Sequence, residues 1–85
     1  MEAKQVEDLI KAGLPECEVT VTGENGHFDA RIVGDIFEGL SPVKKQQVVY
    51  KTVNEYIISG ELHAFTMKTY TVAEWEKASK LQVGS

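Results

Sequence analysis

The sequence has one cysteine, two prolines and no long apolar run. Cys17 therefore has no partner for an internal disulfide, and one thiol cannot make the multi-cysteine sites that hold structural zinc. The amino terminus lacks a basic segment followed by an apolar one, and no stretch approaches the roughly 20 apolar residues of a membrane span. These absences predict a soluble, cytoplasmic protein that does not associate with membranes.

Positive charge is also scarce. Thirteen acidic residues against nine basic ones give a net charge of -4. Residues 1–29 carry seven acids and two bases, residues 30–60 three acids and four bases, and residues 61–85 three of each. Because the molecule as a whole repels phosphate backbones, generic nucleic-acid binding is disfavoured. Any surface that binds an anion is expected after residue 29.

The length of 85 residues and the hydrophobic fraction of 42% fit one packed core. Residues 1–79 are predicted to form a single domain, and residues 80–85 a frayed carboxyl-terminal tail. The sequence contains neither an internal repeat nor a low-complexity stretch.

Hydrophobic periodicity divides the chain into helices and strands. It predicts a helix over 2–13, followed by strands over 17–22 and 27–33 that are joined by a turn at 23–26. A second long helix is predicted from Ser41-Pro42 to about residue 58, and a third strand over 61–70. A capping box at Thr71 and Glu74 is predicted to begin the last helix. The inward strand positions are Cys17, Val19, Val21, Phe28, Ala30 and Ile32. Ile36 and Phe37 of the linking segment are also expected to enter the core. The second long helix is carried by the apolar residues Val43, Val49, Val53, Tyr56 and Ile57. The fold class is therefore α+β, a small three-stranded sheet covered by helices, in the order α-β-β-α-α-β-α.

Catalytic motifs are absent from the sequence. It contains no Gly-x-Ser-x-Gly, no phosphate-binding loop and no His-Glu-x-x-His. The Gly23-x-x-Gly26 run resembles the loop of RNA-binding KH domains, but it joins two strands and contains Glu24, so a hairpin turn is the better interpretation. The protein is therefore predicted not to be an enzyme.

Three features remain as candidates for function. Cys17 is expected in the core, where a free thiol has a raised pKa. His27 and His63 fall at strand ends, and an isolated histidine there is more often a surface or hydrogen-bonded structural residue than a ligand. Two imidazoles could instead supply half of a metal site shared with another protein. Lys44, Lys45 and Lys51 form either a solvated helix face, which we favour, or a docking patch for an acidic partner or an anion.

Several segments together resemble the BolA-like family, and its IbaG-type branch most closely. They are Phe37-x-Gly39-x-Ser41-x-Val43, Lys45-Gln46-Gln47-Val48-Val49-Tyr50, His63-Ala64-Phe65 and Lys68-Thr69-Tyr70-Thr71-x-x-Glu74-Trp75. The resemblance covers about residues 17–76. It implies a class II KH-like fold, in agreement with the α+β order.

The resemblance also implies a function. BolA-like proteins share a [2Fe–2S] cluster with a monothiol glutaredoxin, which supplies its cysteine and a bound glutathione. The family histidine at the start of the last strand matches His63, and the second ligand, from the loop between the first two strands, matches His27. Because imidazole ligates only when deprotonated, assembly is expected to weaken in mild acid.

The alternative is a KH-like nucleic-acid-binding transcriptional regulator that uses the helix over 42–58. Many family members carry Arg-His-Arg where this chain has Lys45-Gln46-Gln47, so the phosphate contacts would come from Lys44, Lys45, Lys51 and Lys68, with Arg31. Such DNA binding is expected to be weak and salt-dependent. The isolated protein is expected to be a monomer or a weak dimer with no cofactor.

Overall fold

Three helices, three strands and a short 3-10 turn follow one another along residues 2–83, the part of the chain that the computed structural model describes. The elements are α1 (Ala3–Gly13), β1 (Glu18–Glu24), β2 (His27–Val33), a single 3-10 turn (Asp35–Phe37), α2 (Pro42–Ser59), β3 (Ala64–Tyr70) and α3 (Val72–Val83). This confirms the α+β class and the predicted order. The short helix predicted between the second strand and the second long helix is the 3-10 turn. The class II KH-like label stays a prediction.

The sheet combines an antiparallel and a parallel pair. Its strand order is β1-β2-β3. β1 and β2 form an antiparallel hairpin in which Glu24 is opposite His27. β2 and β3 run parallel, with His27 opposite Ala64 and Val33 opposite Tyr70. The amino ends of β2 and β3 therefore lie at the same end of the sheet as the hairpin turn.

The core lies between one face of the sheet, here called the inner face, and helices α1 and α2. Alternation along the strands gives this face its apolar side chains. The six largest fully buried side chains are Val6, Ile10, Ile32, Phe37, Val49 and Val53. Burial of each such side chain is worth about 1.5–3 kcal/mol, so this set supplies much of the stability. The predicted inward strand residues, Cys17 included, are all buried.

The ends of α2 and α3 follow the sequence signals. The Ser41 hydroxyl accepts a hydrogen bond from the Lys44 amide at 3.3 Å, with Pro42 at the first helical position. Gly60 ends α2 with a left-handed φ of 87°. At the start of α3, the Thr71 amide donates to Glu74 Oε1 at 2.8 Å and the Glu74 amide donates to Thr71 Oγ1 at 3.1 Å. The predicted capping box is confirmed.

Three local predictions were wrong. β1 continues through Glu24, so the turn is confined to two residues. β3 begins at Ala64 and not at residue 61, because the Leu62 amide donates its hydrogen bond to the Tyr56 carbonyl of α2 and not to a neighbouring strand. The linking segment buries Phe37 but leaves Ile36 47% exposed, since a single helical turn points neighbouring side chains in different directions. Val43 lies in α2 as predicted, and its side chain is 61% exposed.

The frayed tail over 80–85 stays a prediction. α3 continues through Val83, and residues 84 and 85 lie outside the described part of the chain.

Candidate functional site

The hairpin turn places His27 at the first position of β2. Asn25 and Gly26 form the two-residue turn, with φ values of 55° and 81°. Positive φ at both central residues is typical of the tight turn that matches strand twist, and Asn-Gly is its preferred sequence. His27 follows directly and is exposed, on the side of the sheet opposite the core.

The segment before β3 brings His63 onto the same turn. The Gly26 carbonyl accepts hydrogen bonds from the amides of both His63 and Ala64, each at 2.9 Å. The His63 imidazole also lies against Gly26, because a Cβ built on Gly26 would be 2.6 Å from His63 Cδ2. Gly26 is buried, whereas His63 is exposed.

The structure thus brings the two predicted ligands to one end of the sheet. His27 is the register neighbour of Ala64, the residue after His63. Neighbouring strands are about 4.8 Å apart, so the two histidine backbones lie close together. Within the described residues neither imidazole makes a hydrogen bond or an ion pair, which leaves the ring nitrogens available to an external group.

The donor set fits half of a shared cluster. No group of three or more histidine, cysteine, aspartate or glutamate side chains within residues 2–83 is arranged to hold a metal ion. Two neutral imidazoles are nevertheless the protein ligands that one iron of a Rieske-type [2Fe–2S] cluster takes. His27 and His63 could therefore hold one side of such a group, and its remaining ligands would have to come from another molecule.

Cys17 lies away from this end of the sheet. It precedes β1, whose first residue Glu18 is paired with Val33, at the opposite end from the hairpin turn. Over seven residues that is a separation of about 20 Å. Its side chain is only 8% exposed. Burial, and secondarily the charge of Glu16, raise the pKa of the Cys17 thiol, so its properties match the core role that the sequence predicted.

Lys44 and Lys51 lie on one exposed face of α2. With Leu40, Gln47 and Val48 they line a shallow groove of about 250 Å³. Tyr50, which lines a neighbouring groove with Gln47 and Lys51, contacts Phe65 of β3 edge-on with ring centroids 6.2 Å apart. Lys45 is half-buried and near the start of α3, where its charge is a minor contributor to the lowered pKa of Glu74. None of these lysines forms an ion pair within residues 2–83.

Lys68 does not join that cluster. Residues Phe65 and Met67 of β3 pack against the core, so Lys68 lies on the other side, here called the outer face. There it lines an open recess of about 450 Å³ together with Thr20, Thr22, Asp29, Arg31, Thr66, Tyr70 and Trp75. Of the four lysines predicted to bind a partner or nucleic acid, Lys44 and Lys51 therefore share the α2 face, whereas Lys45 lies near the start of α3 and Lys68 on the outer face.

The contacts of two residues, Gly26 and Arg31, were not predicted from the sequence. Gly26 was interpreted only as a turn residue, and its contact with His63 joins positions 37 residues apart, which no local pattern encodes. Arg31 was named only as a source of charge, yet its guanidinium lies 4.2 Å from the ring centroid of Trp75. The alternation of β2 places Arg31 on the outer face, but nothing in the sequence indicates that α3 reaches it.

The comparisons with known proteins agree on one family. Residues 8–74 match the family described as BolA-like protein. The chain is 49% identical to an "uncharacterized protein in rpoN-murA intergenic region" of Acinetobacter guillouiae, over 93% of this chain and 95% of that protein. It is 42% identical to the acid stress protein IbaG of Escherichia coli K12, over 95% and 96% of the two chains.

A solved structure extends the likeness to the fold. The bolA protein homologue from Coxiella burnetii superposes with a TM-score of 0.78 at 28% identity, over 89% of this chain and 97% of the other. In the described part of this chain, no helix has the length and apolarity needed to span a membrane.

Proposed function

The chain belongs to the BolA-like family, and from that premise we propose that it is a non-enzymatic partner of a monothiol glutaredoxin with which it shares a [2Fe–2S] cluster. The role would lie in the assembly or trafficking of such clusters, or in signalling iron status. The proposal assigns the chain's two ligands to His27 and His63.

One observation carries the proposal: two exposed histidines at the same end of the sheet, both attached to one hairpin turn. The Gly26 carbonyl holds the His63 backbone at 2.9 Å, and His27 is the next residue after Gly26. A pair of imidazoles with no third protein ligand beside it supports a shared site better than a site complete within one chain.

The proposed partner would supply the other ligands, the glutaredoxin cysteine and a bound glutathione. Imidazole is neutral and thiolate is charged, so histidine ligation on one iron gives a [2Fe–2S] cluster a higher potential than ligation by thiolates alone. Ligation uses the deprotonated nitrogens of His27 and His63, so protons compete with assembly as the pH falls.

The exposed α2 face with Lys44 and Lys51 suits the docking of such a partner. It is a local positive surface on a chain with a net charge of -4, and it is linked to β3 through the Tyr50–Phe65 contact, two residues beyond His63. Charges at the edge of an interface mainly steer association. We therefore assign this face to recognition of an acidic surface on the glutaredoxin–glutathione complex.

The test is anaerobic reconstitution of a monothiol glutaredoxin with and without this protein, followed by visible circular dichroism. A spectrum that appears only with the wild-type protein, and is lost or altered in His63→Ala and in His27→Ala, is the expected result. Lys45→Glu should leave the spectrum recognisable, since Lys45 is not assigned as a ligand. A spectrum identical to that of glutaredoxin alone would remove the proposal.

A further inference from the structure

Gly26 does more than close the hairpin turn. We infer that Gly26 is a positioning residue for His63: because Gly26 has no Cβ, the imidazole can pack directly against its backbone, and this contact determines the orientation of the ring. The role at the cluster rests on the proposed function, while the contact itself is independent of it.

Contacts around the imidazole suggest why such a residue is needed. A histidine ligand is normally oriented by a second hydrogen bond from its other ring nitrogen. Among the described residues nothing hydrogen-bonds to the His63 ring. The ring packs closely on the surface of Gly26, and we assign the orienting role to this packing contact.

The geometry of this contact is specific to one side chain. A Cβ on Gly26 would have as its three nearest neighbours Cδ2, Cγ and Cβ of His63, at 2.6, 3.3 and 3.5 Å. Real Cβ atoms essentially never approach another atom as closely as 2.6 Å. Any side chain at position 26 would therefore displace the ring of His63 before it disturbed another residue.

Gly26 also connects the two proposed ligands. It is bonded covalently to His27, and its carbonyl accepts the His63 amide at 2.9 Å. The His63 imidazole thus packs against the residue that directly precedes His27 in the chain. A displaced His63 ring would change the spacing between the two ligands, even though both histidines would still be present.

The φ of 81° at Gly26 complicates a simple substitution, because alanine is strained at positive φ wherever it is placed. Gly60 provides a matched control. Its φ is 87°, and a Cβ there would meet nothing within 4 Å. Gly60→Ala therefore introduces a similar backbone strain without a steric clash.

The first experiment follows the histidine ring protons of the isolated protein by NMR. In the wild-type protein, His63 Hδ2 should show a nuclear Overhauser effect to the Gly26 Hα protons. Gly26→Ala should abolish it and shift the His63 ring signals, whereas Gly60→Ala should leave both unchanged. Unchanged His63 ring signals in Gly26→Ala would overturn the inference, whatever the protein binds.

A second variant keeps the inference testable if Gly26→Ala does not fold. If Gly26→Ala does not fold, the double variant Gly26→Ala with His63→Ala is expected to recover, because the nearest remaining atom would be Cβ of residue 63 at 3.5 Å, an ordinary contact. Failure of the double variant to fold, while Gly60→Ala folds, would show that the clash is not with the ring, and would overturn the inference.

The second experiment measures the role at the cluster. After anaerobic reconstitution with glutaredoxin, Gly26→Ala should change the visible circular dichroism of the shared cluster or reduce its yield several-fold, and Gly60→Ala should match the wild type. An unchanged spectrum in Gly26→Ala would overturn the positioning role. Absence of a shared spectrum with the wild-type protein would instead remove the proposed function. The NMR result would still show whether Gly26 positions the His63 ring.

Discussion

The guanidinium of Arg31 stacks on the ring of Trp75, with 4.2 Å from Cζ to the ring centroid. Its Nη2 also donates to the Thr20 hydroxyl at 3.2 Å. Trp75 in turn contacts Tyr70 at a centroid distance of 5.4 Å. One side chain on the outer face of β2 therefore connects β1 to the start of α3.

Arg31→Ala is expected to loosen α3 at a cost of about 0.5–1 kcal/mol, the value of an exposed cation–π contact. Trp75 is the only tryptophan in the sequence, so its fluorescence reports on this contact directly. Denaturant unfolding followed by fluorescence measures the loss. Lys68→Ala, at the register neighbour of Arg31, is the control, and an equal effect of both substitutions would contradict the assignment.

Local signals in the sequence were sufficient for most of the fold. Alternation in β1 and β2, the Asn-Gly turn, Ser41-Pro42 and the Thr71–Glu74 capping box each depend on residues within a few positions of one another, and the structure follows them. Ile36 was misassigned because hydrophobicity alone does not say which side of a short turn meets the core.

The site was predictable only in part. Strand-end placement singled out His27 and His63, but their proximity depends on the parallel pairing of β2 with β3, which joins segments separated by α2. The contact between Gly26 and His63 has the same long-range origin. The division of the lysines between α2 and the outer face likewise follows from which side of β3 packs on the core.

Gly34 and Cys17 make a second test of close packing. A Cβ on Gly34 would lie 2.5 Å from Cys17 Sγ, and the φ of Gly34 is -177°, an extended value open to any residue. Gly34→Ala is therefore expected to destabilise the protein by about 1–3 kcal/mol through overpacking alone. Chemical denaturation measures this loss.

The control for that prediction is Gly34→Ala in a Cys17→Ala background. Removal of the sulfur should abolish most of the additional loss, because it vacates the space that the new methyl group needs. Additive effects of the two substitutions would show that the clash lies elsewhere.

Burial also determines the reactivity of Cys17. Its thiol is enclosed, and desolvation raises its pKa, so little thiolate is present near neutral pH. Ellman's reagent should react slowly with the folded protein and quickly after denaturation. Reaction of the native protein at the rate of an exposed thiol would contradict the buried position.

The capping box predicts an acid-sensitive contribution to stability. Hydrogen bonding from the Thr71 amide is the main cause that lowers the pKa of the Glu74 carboxyl. A carboxyl with a lowered folded-state pKa stabilises the protein above its ordinary pKa of about 4.3, and that contribution is lost as the pH falls through the lowered value. Glu74→Gln should therefore flatten the acid limb of stability against pH. Glu76→Gln, two residues further along α3, should not, and equal flattening by both would argue against the cap.

The two basic surfaces should behave differently toward the proposed partner. Lys44→Glu with Lys51→Glu reverses the charge of the α2 face, and binding to the glutaredoxin–glutathione complex is expected to weaken about tenfold at low salt, mainly through slower association. Lys68→Glu changes the net charge by half as much, but on the outer face, and should have little effect. Calorimetry or biolayer interferometry at two salt concentrations measures both. Since ionic screening weakens exposed charges, the difference between the α2 variant and the wild type should shrink as salt rises. An equal loss in the Lys68 variant would mean that net charge controls association, and that the α2 face has no special part in it.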